Sequence, residues 1–148
     1  MDHTQIILNE LEQLLSLLDI SAELSVEIQD EYYSIQVDTE ETGVLIGYHG
    51  ETLAALQTIL SQILFNKTQE WVKINLNIGD YLEKREEQLH RIADKAVDQA
   101  LHEQKSVTLP PLTPKERRII HLYLKEKQTV ETESIGEGGE RRLVVFPA

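Results

Sequence analysis

Apolar residues recur along this 148-residue chain with two different periods, and the switches between them divide it into elements. Over residues 4–18, Ile7, Leu11, Leu14, Leu15 and Leu18 fall on one face of a 3.6-residue repeat, which predicts an amphipathic helix. The period then drops to two. Leu24, Val26 and Ile28 alternate with polar residues, Gln29-Asp30-Glu31 supplies a turn, and Tyr33, Ile35 and Val37 alternate again. This is the pattern of a hairpin buried on one side. Residues 40–46 suit a short helix, and Leu53, Leu56, Leu60, Ile63 and Leu64 mark a longer one over 51–66. Val72, Ile74, Leu76 and Ile78 give a third alternating strand. Three strands and three helices suffice for a two-layer α+β unit.

Gly79 ends that unit. Residues 80–103 predict one helix rich in Glu, Lys and Ala, carrying Leu82, Leu89, Ile92 and Val97. Val107-Thr108-Leu109-Pro110-Pro111 reads as a short extended piece. In Thr113-Pro114-Lys115-Glu116 a threonine cap, a proline at the first helical position and a glutamate at the third announce a helix running to about Lys127. Two strands, 130–135 and 141–146, follow around a glycine-rich acidic turn. The expected organisation is an α+β unit over 1–79, a connecting helix over 80–104 and a small α+β unit over 105–148. So small a unit needs the long helix to complete its core.

Between the second and third predicted helices lies Gly47-Tyr48-His49-Gly50. Two glycines three apart allow a tight turn, and its amides at the mouth of a helix can approach a phosphate. The same spacing also serves a plain helix–helix turn, and a second copy occurs at Gly136-Glu137-Gly138-Gly139. The flanking α-β-β and α-β pattern favours the phosphate reading. Tyr48 could stack on a base and His49 could donate to a phosphate, but neither carries a fixed charge. In Arg117-Arg118-Ile119-Ile120-His121, Arg117 and His121 are four apart on one helix face and could bracket a phosphate near the positive helix end. The bland reading is a solvated charge beside a surface histidine. Arg141-Arg142 improves the odds, one of the pair facing the helix and the other facing away.

Charge is unevenly spread. The net charge of −12 comes from residues 1–79 at −11 and 80–104 at −3, while 105–148 carry +2. A polyanion partner would therefore be anchored by the C-terminal segment. The absence of cysteine excludes thiolate metal sites and fits a reducing compartment. No signal peptide and no stretch of ~20 apolar residues is legible, so no membrane insertion is expected, and cytoplasmic residence is. His3, His90 and His102 are scattered, the carboxylates read as surface charge, and no Walker sequence or nucleophile elbow appears. No catalytic residue, metal or cofactor is expected, and a nuclease with acidic metal ligands ranks third among the readings. Trp71 and Tyr32-Tyr33 read as packing residues at strand ends.

Together these residues resemble a type II KH domain followed by an R₃H domain, the pair found in bacterial Jag-type RNA-binding proteins. Residues 43–67 are similar to the KH glycine loop and the helix after it, residues 111–124 to the R₃H helix, and residues 130–148 to the closing hairpin. The resemblance runs from about residue 22 to the end, without the separate N-terminal domain of many Jag proteins. It implies a non-enzymatic, cytoplasmic protein that binds single-stranded RNA or single-stranded DNA, linked to cell-envelope and division control and often working alongside a second small KH protein. By position the KH clamp is Gly47, Tyr48, His49 and Gly50, and the R₃H pair is Arg117 and His121. Arg118, Arg141 and Arg142 join on electrostatic grounds. The rival expectation is a protein-interaction module that keeps the KH fold and has lost the ligand.

Overall fold

A computed structural model describes residues 2–148. Helix α1 (Thr4–Leu17) leads into an antiparallel hairpin of β1 (Glu23–Gln29) and β2 (Tyr32–Asp38). Helix α2 (Thr42–Ile46), a single 3₁₀ turn (Tyr48–Gly50) and helix α3 (Glu51–Thr68) follow, and β3 (Ile74–Ile78) pairs in parallel with β2. The sheet order is β1-β2-β3. Its inner face carries Ile35, Val37, Leu76 and Ile78, which share one core with Ile7, Leu11 and Leu15 of α1 and Leu53, Leu56, Leu60 and Leu64 of α3.

Three expectations in this half shift. Leu18, assigned to the buried face of the first helix, is exposed, because the helix ends at Leu17 and the chain turns through Asp19 at φ 57°. Ile28 is 58% exposed, at the turn end of β1, which is an edge strand of the sheet. Trp71, read as a packing residue, is 66% exposed and stacks on Phe65 with ring centroids 4.2 Å apart. Its apolar contact is one ring face rather than a core.

Helix α4 (Tyr81–Glu103) starts with Tyr81 and Leu82 against this first core. The chain divides into two compact units after Leu82. In the second, Leu89, Ala93, Ala96, Val97 and Ala100 of α4 form a core with Ile120 and Leu124 of α5 (Pro114–Lys125) and with Leu143 and Val145. Alanine at three of those α4 positions lets the neighbouring elements approach closely. Tyr123 of α5 stacks on His90 of α4 at 3.9 Å and donates its hydroxyl to Asp94 at 3.0 Å. That bond favours the neutral phenol and raises its pKa above 10.0.

The closing sheet has three strands where two were expected. Strand β4 (Val107–Thr108) adds to β6 (Arg142–Pro147), which also pairs antiparallel with β5 (Val130–Ile135), in the order β4-β6-β5. Among the described residues, no helix is long and apolar enough to cross a membrane.

Candidate nucleic-acid interface

The glycine turn joins α2 to α3 through three left-handed residues. Gly47 has φ 71°, His49 φ 52° and Gly50 φ 83°. Sterics narrow the choice further. A Cβ on Gly47 would overlap the Thr52 hydroxyl and come within 2.9 Å of its Cβ, and one on Gly50 would meet the Tyr81 hydroxyl at 2.6 Å. Both glycines are thus required by the backbone, whether or not a ligand binds. The residues between them point outward. Tyr48 is 79% exposed and its ring meets His49 edge-on at 4.0 Å. Glu51 occupies the first turn of α3, where it offsets the positive helix end that a phosphate would seek.

The second unit offers a different surface. Thr113 caps α5 by accepting from the Glu116 amide at 3.1 Å, and Glu116 accepts in return from the Thr113 amide at 3.1 Å, a complete capping box with Pro114 at the first position. This start aims the first turn of α5 across β5. Arg117, half-buried, donates from Nη1 to the Leu112 carbonyl at 2.7 Å. One turn later His121 is exposed, with Nδ1 2.6 Å from the Thr132 hydroxyl on β5. That contact turns Nε2 of the same ring away from the strand.

Sheet register settles which arginine of the Arg141-Arg142 pair joins them. Leu143 and Val145 pack into the core beside α5 and pair with Ser134 and Thr132, so these four positions share the helix-facing side. Arg141 has the same parity. It lines a groove of about 430 Å³ together with Pro114, Arg117, Arg118, His121 and residues 132–134, with Glu133 an acid among these cations. Its Nη1 donates to Gly136 O at 2.9 Å, which ties it to the β5–β6 turn. Arg142 has the opposite parity and does not line the groove; its Nη1 donates to Gly139 O at 2.7 Å and Arg141 O at 3.0 Å.

Four of the five C-terminal candidates, Arg117, Arg118, His121 and Arg141, therefore converge, and Arg142 stays on the other sheet face. Gly47, Tyr48, His49 and Gly50 form their own exposed loop in the first unit. Sequence reasoning missed Thr132 and Ser134. Their signal was present in Val130-Glu131-Thr132-Glu133-Ser134, where hydroxyls hold the alternate positions that a wholly core-facing strand would fill with apolar residues. Of the remaining histidines, His3 is buried with Nε2 3.1 Å from Glu70, and His90 is the ring stacked on Tyr123. Among the described residues no three His, Asp or Glu side chains are placed to hold a metal ion.

Two family matches coincide with the two halves. Residues 7–78 match the KhpA/KhpB KH domain, and residues 87–147 match the R₃H domain. The chain thus carries a KhpB-type KH domain followed by an R₃H domain. Relatives named RNA-binding protein KhpB include one from Streptococcus pneumoniae serotype 2 (strain D39 / NCTC 7466), 34% identical over 128 residues that make up 86% of this chain and 39% of the relative. One from Clostridium symbiosum is 31% identical over 137 residues, 91% of this chain and 62% of the relative. One from Bacillus subtilis (strain 168) is 32% identical over 130 residues, 85% of this chain and 62% of the relative. The KH–R₃H chain thus spans about two-fifths of the length of the streptococcal relative and about three-fifths of the other two.

Proposed function

We propose that this KH–R₃H chain binds single-stranded RNA at the α5–β5–β6 groove and catalyses no reaction on it. The observation that carries the reading is the convergence of Arg117, Arg118 and Arg141 with His121 on one side of a small sheet. Guanidinium forks suit phosphate oxygens, and the Thr132 and Ser134 hydroxyls add shorter-range hydrogen-bonding groups. The name of the relatives points the same way. In this reading the KH loop is a secondary contact, its Gly47–Gly50 backbone following the strand while Tyr48 stacks on a base. Single-stranded DNA shares the phosphate chemistry and is the competitor to test. Post-transcriptional or envelope and division control in the cytoplasm is the cellular role this binding would serve.

Replacing Arg117 and His121 together by alanine is expected to weaken RNA binding at least about tenfold, the loss of one to two charge-assisted contacts. Fluorescence anisotropy of a labelled single strand reads the change. Affinity equal to that of the parent chain would remove these residues from the site.

A second reading has its own support, namely the charge of −11 over residues 1–79 together with the exposed Tyr48 beside Glu51. In that reading the KH unit holds a protein, such as a second small KH protein, and leaves RNA to the R₃H unit. RNA affinity unchanged by Tyr48→Ala, combined with a native mass above one chain, would favour it.

A further inference from the structure

A line of contacts runs from α4 into the first turn of α5. Arg85 of α4 donates from Nε to Glu116 Oε2 at 2.6 Å, and the two side chains are only 10% and 12% exposed. Arg85 is also held along its own helix by Gln88, whose Oε1 accepts from Nη1 at 3.2 Å. The other oxygen of Glu116, Oε1, accepts from the Thr113 amide. The carbonyl of that same peptide unit, from Leu112, accepts from Arg117 Nη1 at 2.7 Å. The Leu112–Thr113 peptide is therefore gripped at both poles, its N–H by Glu116 and its C=O by Arg117. The N–H and C=O of a trans peptide point to opposite sides, so the Glu116 carboxylate oxygen and the Arg117 guanidinium nitrogen sit across that peptide, at most roughly 8 Å apart, and a rotamer change of these long side chains is what would bring them into contact.

That proximity creates a competition. A nearly buried carboxylate without a cation is strongly disfavoured, and it will recruit the cation within reach. Arg117 is that cation, and paired with Glu116 it would be withdrawn from the groove. We infer that Arg85 is a positioning residue for the RNA groove: by occupying the Glu116 carboxylate it leaves the Arg117 guanidinium free to meet phosphate. The inference rests on the groove reading given above. It assigns a role to a side chain on the long helix that is not among the groove's lining residues.

The test compares RNA binding by the intact chain and four variants, R85M, R85K, E116Q and R85M/E116Q, at several salt concentrations, with folding checked by circular dichroism and thermal unfolding. R85M exposes the competition and is expected to weaken binding about tenfold. Its log–log salt slope is expected to become shallower by about 0.7, the loss of one neutralised phosphate. R85K keeps the charge and is expected to retain most of the affinity. The companion variant is R85M/E116Q. Glutamine at the third helical position still serves a capping box but has no charge with which to capture Arg117. Affinity and slope are therefore expected to return close to those of the parent chain. Removing both partners would also relieve a purely structural defect, so the salt slope of R85M separates the two roles: a structural defect lowers affinity in the folded variant without making the slope shallower.

A folded double variant as weak as R85M overturns the inference, and so does an R85M variant that binds as the parent chain does or that is weakened with an undiminished slope. Should R85M fail to fold, E116Q decides, because it is expected to keep an undiminished slope and a reduced slope overturns the proposal. Failure of the parent chain to bind RNA overturns the groove and this inference together, which separates that failure from the others.

Discussion

Gly47 shows how one atom constrains the exposed loop. Its φ of 71° lies in the left-handed region, and a methyl group there would run into the Thr52 side chain at the start of α3. Gly47→Ala is expected to lower stability by about 1–3 kcal/mol, combining backbone strain with the clash, as read by urea unfolding. Gly43 in α2 is the internal control, since a Cβ there meets nothing within 4 Å. Gly43→Ala is expected to be neutral or to stabilise by up to about 1 kcal/mol. The two glycines of the loop stood out in the sequence, but the reason for each did not, because Thr52 and Tyr81 reach them only in the folded chain. Arg141 and Arg142 pose the same limit. Parity separated them to opposite faces, and only the register of β6 against β5 tells which faces the helix.

At the level of elements, local rules were legible and long-range ones were not. The start of α5 could be read letter by letter from Thr113-Pro114-Lys115-Glu116, and both capping hydrogen bonds are present. Thr113→Ala is expected to cost about 1 kcal/mol in chemical denaturation, with an unchanged dependence on denaturant. The same substitution loosens the turn that carries Arg117, so RNA affinity is expected to fall with it. The extended piece at Val107-Thr108 was legible but its place in the sheet was not, because two residues cannot display a period of two. Its pairing to Val144 and Val145 is decided some 37 residues away. Leu18 and Ile28 were misjudged for a related reason: periodicity names a face but does not say how far along it burial extends. Trp71 looked like core by residue type, yet Phe65 covers only one of its faces.

For the whole molecule, charge and topology divide the labour. The first unit carries nearly all of the net negative charge, and its glycine turn presents an aromatic pair without a cation. The second gathers three arginines and a histidine around one groove. Sequence alone located that imbalance, because charges can be counted without coordinates. It could not count how many cations act together, and the exclusion of Arg142 lowers that number. The central claim is that three fixed cations in the R₃H groove carry the affinity for single-stranded RNA. The most direct test is fluorescence anisotropy of a labelled, mixed-sequence single strand titrated with the chain across a range of salt concentrations. Three neutralised phosphates predict a log–log slope of about −2, at about −0.7 for each. A slope near zero, or no binding even at low salt, would contradict the claim.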